Sequence, residues 1–319
     1  MKLSILDQSP ITPGKTAQQA LKESLKLAQV GESLGYTRYW IAEHHSMDGL
    51  ACPAPEVMLG YIGGQTNTIR IGSGAVLLPH YSPYRVAETY NMLATLFPDR
   101  LDLGIGRAPG ASAEATIALS GNFLEKVHHL PESLKTLIKF IHHDFSQEEM
   151  FSKIKPTPVP ETAPKLWVLG TSEKSAKLAA ENGTAYAFGQ FMTDNDGKAI
   201  IQTYRKNFKG RTPNEKPGAI LAVSVLCAET TNVAEKLAWQ SYLRKIQLPK
   251  EDNKVAYDEH HKDEFAAMKK RTVIGNPEEV VKSLRSMKEN YEADEIMIIT
   301  ITDSFESRIR SYELIAKEI

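Results

Sequence analysis

The sequence predicts a (β/α)8 barrel, in which eight parallel strands form the wall and the connecting helices surround it. Two observations predict this fold. Eight apolar runs of strand type alternate along the 319 residues with segments of helical periodicity, and eight such units are what the barrel requires. The first run ends at Gln8-Ser9-Pro10, unlike the glycine-rich fingerprint that usually opens a doubly wound dinucleotide-binding sheet. That sheet is the alternative fold.

The predicted strands are apolar runs, and the third of them is nearly apolar on both faces, as is typical of buried parallel strands. They lie at 3–6, 36–44, 69–78, 99–107, 166–169, 185–189, 219–228 and 295–300. The proline-rich stretch 156–164 is interpreted as an excursion before strand five. The polar, weakly patterned segment 247–271 follows strand seven and predicts a lid, because long loops inside a compact domain are usually functional.

The predicted helices carry the residues that usually mark helix boundaries. Thr16 precedes the first helix and Gly35 follows it, while Ser82-Pro83 and Asn276-Pro277 each combine a capping side chain with a proline in the first turn. The alternation of strands and helices resumes directly after the proline-rich excursion. We therefore expect one domain, residues 1–319.

The third predicted strand has an unusual centre, Gly72-Ser73-Gly74-Ala75. Glycine weakens a strand, so glycines at this place indicate either a bulge or a close approach by a ligand. The residues alone leave both possibilities open.

The composition is typical of a globular protein that acts on a small molecule. The chain is 42% apolar and 24% charged, with a net charge of −1, and nothing in it indicates a nucleic-acid partner. Cys52 and Cys227 lie far apart and outside any CxxC spacing, which argues against a disulfide framework or a structural zinc site. Asp7 comes too early for the pattern of a signal peptide, and no apolar run reaches the roughly 20 residues that span a bilayer. A soluble, cytoplasmic protein is expected.

The second predicted strand ends in Glu43-His44-His45. The C-terminal ends of barrel strands are where these folds place their chemistry. A metal site built from all three is disfavoured, because neighbouring side chains of a strand point to opposite faces, and a metal-dependent hydrolase is a minor alternative. One imidazole that faces the barrel mouth suits proton transfer, since its pKa lies near neutrality. A structural, hydrogen-bonded histidine is the other interpretation.

Two later features suit a phosphate group. Gly170-Thr171-Ser172 joins strand five to a helix that includes Ser175, and exposed N–H groups and hydroxyls at a helix start favour a dianion. Ordinary capping by Ser172 is the alternative. Arg107 ends strand four, where a guanidinium offers bidentate contact to a phosphate or carboxylate. Its alternative is a salt bridge with Glu43 or Asp102 that closes the barrel end.

Five motifs in this order resemble the bacterial luciferase-like monooxygenases, which are flavin-dependent (β/α)8 barrels. The resemblance covers essentially the whole chain and is closest to the single-component luciferase-like oxidoreductases with a Gly-Arg-Ala-Pro-Gly turn. The motifs are Trp40-Ile41-Ala42-Glu43-His44-His45, Ile71-Gly72-Ser73-Gly74-Ala75-Val76-Leu77-Leu78-Pro79, Ser82-Pro83-Tyr84-Arg85-Val86-Ala87-Glu88, Asp102-Leu103-Gly104-Ile105-Gly106-Arg107-Ala108-Pro109-Gly110 and Gly170-Thr171-Ser172 with Ser175.

The resemblance implies a role for each candidate residue. His44 is implied to be the active-site histidine, with Glu43 and His45 in structural roles. The peptide bond between Gly74 and Ala75 is implied to be a cis bond that lies against the flavin ring. The implied phosphate site consists of Arg107, Gly170, Thr171, Ser172 and Ser175.

The implied activity is that of a monooxygenase that uses reduced FMN, delivered by a separate flavin reductase, and O2 to oxidise a small organic substrate beneath the lid. A homodimer through the helices after strands two and three is also implied, with Arg85 and Glu88 at the interface. Gly106 stands where the luciferase α-subunit has a reactive cysteine, so light emission is not expected. The alternatives are a deazaflavin-dependent reductase that transfers hydride and a non-catalytic flavin-binding protein.

Overall fold

Eight parallel strands close into a barrel, which confirms the predicted fold class. The computed structural model describes residues 1–245 and 259–319. The barrel strands are β1 (Leu3–Asp7), β2 (Arg38–Ile41), β3 (Arg70–Leu77), β4 (Leu101–Gly106), β5 (Lys165–Gly170), β6 (Ala185–Gly189), β7 (Ala219–Cys227) and β9 (Glu295–Ile299). They pair in the order β6-β5-β4-β3-β2-β1-β9-β7, and β7 pairs in turn with β6 to complete the ring.

A further strand, β8 (Thr272–Gly275), is absent from the prediction. It pairs with Ser224–Cys227, the second half of β7, whereas β9 pairs with Ile220–Ser224 in the first half. The long strand β7 therefore carries β8 beyond the point where β9 ends. A run of four residues between a polar segment and the cap of a helix is too short to be distinguished from a loop by its pattern.

The helices pack around the barrel, and the described ones are each too short or too polar to cross a membrane. They are α1 (Ala17–Ser33), α2 (Pro55–Gly63), α3 (Pro83–Leu96), α4 (Ala113–Ser120), α5 (Phe123–His128), α6 (Leu130–His142), α7 (Glu173–Glu181), α8 (Gly197–Asn207), α9 (Thr231–Lys245), α10 (Glu259–Lys270), α11 (Pro277–Asn290) and α12 (Phe305–Glu318). Thr16 and Asn276 form full capping boxes, as expected at their positions. Ser82 precedes α3 as predicted, but its side chain makes no capping hydrogen bond.

Residues 247–258 of the predicted lid lie outside the described residues. The described part begins with α10, and Arg271 after it pairs with Asp194, with 2.8 Å between Nε and Oδ1. The lid therefore stays a prediction. The excursion before β5 packs on α3, because Asn91 Nδ2 donates to the carbonyl of Pro156 over 2.9 Å.

The glycine-rich centre of β3 forms a bulge, one of the two possibilities that the sequence indicates. The pairing of β3 with β4 shifts register between Ser73 and Val76. The hydroxyl of Ser73 fills the gap in the ladder, since it lies 3.1 Å from both the N–H and the carbonyl oxygen of Gly104. The side chain thus replaces backbone hydrogen bonds that the bulge removes.

Two buried groups of charges connect elements that are distant in sequence. Arg38 lies between two carboxylates, with 2.6 Å from Nη1 to Asp102 Oδ2 and 2.7 Å from Nε to Glu295 Oε1. Elsewhere, Arg308 of α12 pairs with Asp7 of β1 over 2.7 Å. Buried charges of this kind are tolerated because each has a partner.

Candidate active site

A cavity of about 790 Å³ opens at the C-terminal ends of the barrel strands. Its volume is in the usual range for small-molecule and cofactor sites. One part of its wall is the apolar interior of the barrel, and the other part carries hydroxyl and cationic groups. The apolar part includes Leu6, Trp40, Ile105, Ala187, Ala222 and Met297, and the polar part includes Arg107, Thr171, Ser172, Lys174 and Ser175.

His44 lies in the wall of this cavity, three residues beyond the end of β2. Its backbone N–H donates to the carbonyl of Cys52 over 3.0 Å, which fixes the chain at this point. Its Nδ1 atom is buried and has no hydrogen-bond partner in the described parts of the chain. Burial lowers the pKa of the imidazole from its usual 6.5, and the neighbouring His45 lowers it further. His44 is therefore neutral at pH 7.

Glu43 and His45 bind one another beside His44. The Glu43 side chain is buried, and its Oε1 accepts hydrogen bonds from His45 Nε2 over 2.8 Å and from the Tyr81 hydroxyl over 2.7 Å. Its Oε2 accepts from the N–H of Leu77 over 3.0 Å. The carboxylate thus connects the ends of β2 and β3. This bonding agrees with the structural role that the resemblance implies for both residues.

The peptide bond between Gly74 and Ala75 is cis, as the resemblance implies, and both residues line the cavity. A Cβ atom on Gly74 would lie 2.7 Å from Leu6 Cδ1 and 3.2 Å from Trp40 Cβ. A Cβ atom on Gly106 would lie 3.0 Å from Ala75 Cβ. Close packing of the strand ends therefore already requires these small residues.

The start of α7 forms the capping arrangement that the sequence left open as an alternative. Ser172 Oγ accepts from Ser175 N–H over 3.4 Å, and Ser175 Oγ accepts from Ser172 N–H over 3.3 Å. A side chain on Gly170 would collide with Ser175. Both hydroxyls thus have partners inside the protein. Thr171, the residue before them, lies at the cavity, and its carbonyl accepts from Asn195 Nδ2 over 2.8 Å.

Arg107 follows β4 and is exposed at the cavity. The salt bridges proposed as its alternative are absent, since Glu43 is bound to His45 and Asp102 is bound to Arg38 and Arg70. Within residues 1–245 and 259–319, no ion pair involves Arg107. Its guanidinium is therefore available to a ligand.

The sequence model of the luciferase-like monooxygenase family matches residues 1–293. The chain belongs to this family. Among its relatives, the N-acetyl-S-alkylcysteine monooxygenase of Bacillus subtilis is 34% identical over 100% of this chain and 98% of its own length.

Solved structures of the same fold support this membership. The crystal structure of apo-MsnO8 is 31% identical, with a TM-score of 0.86 over 99% of this chain and 98% of its own. The oxygenating constituent of 3,6-diketocamphane monooxygenase from Pseudomonas putida, solved in complex with FMN, is 22% identical, with a TM-score of 0.74 over 100% of this chain and 98% of its own. At that identity the likeness concerns the fold alone.

The structure brings the predicted residues of the luciferase-like site to one cavity, and two further residues connect the strand ends beside it. His44, Gly74, Ala75, Arg107, Gly170, Thr171, Ser172 and Ser175 all line it. Reasoning from the sequence missed Tyr81 and His80, which follow β3 and contact the ends of β2 and β4. The sequence does indicate them, because polar residues directly after a buried parallel strand lie at the functional end of a barrel. Within the described residues, no cluster of His, Cys, Asp and Glu is arranged as a metal site.

Proposed function

We propose that the protein is a flavin-dependent monooxygenase that uses reduced FMN and O2 to oxidise a small organic substrate. The observation that carries the proposal is the division of a single cavity into two parts. Arg107, without an ion pair among the described residues, and the start of α7 lie in the polar part, and His44 lies beside the apolar part.

The residues of the cavity fit FMN. A phosphate dianion is suited to a guanidinium combined with the N–H groups of a helix start. Arg107 would supply the guanidinium, and the start of α7 would supply those N–H groups that lie outside the capping pair of Ser172 and Ser175. The isoalloxazine ring is flat and largely apolar, and the small residues Gly74 and Ala75 leave room for such a ring. The volume of about 790 Å³ also leaves space for a substrate beside the cofactor.

The protein's own residues would position the reactants and keep water away. Bound reduced flavin supplies the electrons that activate O2. The neutral imidazole of His44 is placed to accept or hold a proton at Nδ1, the buried atom without a partner in the described residues. The apolar wall formed by Leu6, Trp40 and Met297 excludes water from that part of the cavity.

The substrate is proposed from a relative together with the character of the wall. The Bacillus subtilis relative is named for action on N-acetyl-S-alkylcysteines. An apolar wall suits an alkyl thioether, so compounds of this class are the first to test. Reduced FMN would come from a separate flavin reductase, and a general NADH-dependent flavin reductase can replace it in the assay.

We also propose a homodimer through α2 and α3. Val57 and Tyr61 on α2 and Met92 and Leu96 on α3 are exposed apolar residues, and clusters of such residues are typical of protein interfaces. Arg85 and Glu88 pair with each other on α3, with 3.4 Å between Nη1 and Oε2. Light scattering after size-exclusion chromatography measures the mass, and a monomer at all concentrations would contradict the proposal.

Arg107→Ala tests the cofactor assignment. We expect the affinity for reduced FMN to fall by about 10- to 100-fold, because a hydrogen-bonded contact between charged groups contributes roughly 1.5–3 kcal/mol. Anaerobic titration of photoreduced FMN measures this affinity. Arg285→Ala is the matched control, since Arg285 is an arginine on α11 that does not line the cavity.

Oxygen uptake distinguishes the proposed function from its alternatives. With reduced FMN, N-acetyl-S-alkylcysteines should be oxidised with one oxygen atom added to the product. Substrate reduction by a reduced deazaflavin, with no product oxygenation in the presence of reduced FMN, would instead support the hydride-transferring reductase.

For the cofactor assignment, an unchanged affinity of Arg107→Ala for reduced FMN would disprove the contact between Arg107 and the phosphate.

A further inference from the structure

The turn Arg107–Gly110 carries the guanidinium of the proposed phosphate site, and its first three residues are exposed. Two hydrogen bonds from neighbouring strand ends hold its carbonyl groups. The N–H of His45 donates to the carbonyl of Gly110 over 2.8 Å. The Nε2 atom of His80 lies 2.8 Å from the carbonyl oxygen of Pro109. The turn is thus attached to the ends of both β2 and β3.

The hydrogen-bond partner of His80 determines which nitrogen of its ring carries a hydrogen. A carbonyl oxygen only accepts hydrogen bonds, so Nε2 of His80 carries the hydrogen and donates it to Pro109. Nδ1 of the same ring is buried and has no partner in the described residues. The His80 residue is 7% exposed and lies against the ring of Phe123, with 5.1 Å between the ring centroids. Its polar contact within the described chain is therefore with the turn.

The backbone on either side of His80 is also held firmly. Leu77 donates its N–H to Glu43, and the hydroxyl of Tyr81 donates to the same carboxylate. The Glu43 carboxylate thus holds the segment that carries His80. Because Glu43 directly precedes His44, this segment is attached next to the proposed catalytic residue. A side chain on Gly110 would collide with Leu77 and lie 3.2 Å from the carbonyl oxygen of Glu43. The turn therefore packs closely against Glu43 and Leu77.

We propose that His80 is a positioning residue for the cofactor phosphate. Its Nε2–H holds the Pro109 carbonyl and so fixes the direction in which Arg107 leaves the end of β4. The proposal rests on the assignment of Arg107 to the phosphate in the proposed function. It assigns to His80 no contact with the cofactor or the substrate.

The test compares FMN with riboflavin, which is FMN without its phosphate. Both are photoreduced, and their dissociation constants are measured by anaerobic titration for the wild type, His80→Leu, His80→Gln and Arg107→Ala. The ratio of the riboflavin constant to the FMN constant reports the phosphate contact alone. His80→Leu removes the donor, whereas the amide nitrogen of Gln reaches about the position of Nε2 and keeps it.

We expect His80→Leu to lower this ratio by about 3- to 10-fold, which corresponds to the net effect of a hydrogen bond. The riboflavin constant should be unchanged, and His80→Gln should restore the ratio. If His80→Leu does not fold, His80→Asn replaces it, because the shorter amide does not reach the Pro109 carbonyl. A merely structural role would weaken the binding of both ligands equally.

The outcomes separate this proposal from the function on which it rests. If Arg107→Ala lowers the ratio and the donor-free His80 variant does not, the positioning role is wrong and the phosphate assignment stands. If the wild type binds both ligands equally, or Arg107→Ala leaves the ratio unchanged, the phosphate assignment itself is wrong. A lowered ratio that His80→Gln fails to restore also overturns the role of the Nε2–H donor.

Discussion

Two adjacent histidines at the end of β2 differ because their partners differ. His45 donates to the buried carboxylate of Glu43, whereas Nδ1 of His44 is buried without a partner in the described residues. Strand alternation predicted that one imidazole would face the barrel mouth. The sequence did not predict the partners of Glu43, because Leu77 and Tyr81 come from another strand end about 35 residues away in the chain.

The lowered pKa of His44 predicts how kcat/KM declines on the acid side of its pH profile, which is the acid limb. Burial, and then His45, lowers this pKa below 6.5, so the imidazole is neutral at pH 7 and becomes protonated only at lower pH. If the neutral ring accepts a proton, kcat/KM should fall as the pH decreases through a value below 6.5. His44→Gln should lower kcat by about 100-fold or more and abolish this limb.

The control for this prediction is His129→Gln, which changes an exposed histidine that does not itself line the cavity. It should retain both the rate and the pH profile. The profile is measured as substrate-dependent oxygen uptake between pH 5 and pH 8, with the reduced cofactor in excess. An acid limb that persists in His44→Gln would show that another group titrates.

At the scale of elements, the bulge in β3 restricts which residue the neighbouring strand β4 can have at position 104. The Ser73 hydroxyl occupies the place of ladder hydrogen bonds and brings the Ser73 backbone close to Gly104. The glycines of β3 predicted the bulge, but nothing in the sequence predicted which residue of β4 would face it. That pairing depends on the strand register, which the pattern of apolar residues leaves open when both faces are buried.

Gly104→Ala should therefore destabilise the barrel. A Cβ atom there would collide with the Ser73 carbonyl and lie 2.9 Å from Leu169 Cδ1, and neither strand can move away easily in a closed ring. We expect a loss of about 1–3 kcal/mol in the free energy of unfolding, measured by urea denaturation. Gly49→Ala is the control, because a Cβ atom there meets nothing within 4 Å. Equal effects of the two substitutions would contradict this account.

The elements themselves were predicted unevenly, for reasons of length and patterning. The strands that pair on both sides inside the barrel were found because their apolar runs have a strong signal. The short strand β8 and the helix α8 were missed. Helix α8 follows a segment with three acidic or amide residues, Asp194 to Asp196, which reads as a loop although Asp196 caps the helix.

At the scale of the whole molecule, the first strand is fastened to the last helix. Arg308 Nη2 lies 2.7 Å from Asp7 Oδ1, and Arg308 Nε donates to the carbonyl of Thr300 over 2.8 Å. Burial alone would raise the pKa of the Asp7 carboxyl, but Arg308 and the Tyr39 hydroxyl outweigh it and lower that pKa. Asp7 therefore stays ionised in the folded protein at neutral pH.

Arg308→Met should destabilise the protein strongly, because it leaves the Asp7 carboxylate buried without its cationic partner. Removal of one member of a buried pair costs about 3–5 kcal/mol, measured as the loss in the free energy of unfolding. Arg310→Met is the matched control on the same helix, where Arg310 makes exposed pairs with Glu229 and Glu313. Similar losses for both variants would show that the buried pair has no special role.

The barrel as a whole followed from counting strand units, whereas the long-range side-chain contacts that hold it together did not. The sequence predicted eight strands and their order of appearance, and this order nearly equals the spatial order because consecutive βα units are neighbours. Contacts such as that of Asp7 with Arg308 join residues 301 positions apart. No local pattern contains such a pair, so it is visible only in the folded structure.

The burial of the two cysteines has a chemical consequence for the proposed reaction with O2. Burial raises the pKa of both the Cys52 and the Cys227 thiol to about 12, so the thiolate, which is the nucleophile that reacts with peroxide, is scarce at neutral pH. Met192, on the rim of the cavity, is 61% exposed. Peroxide released in unproductive turnover would therefore meet a methionine sulfur, whose oxidation reductases can reverse, before it reached either thiol.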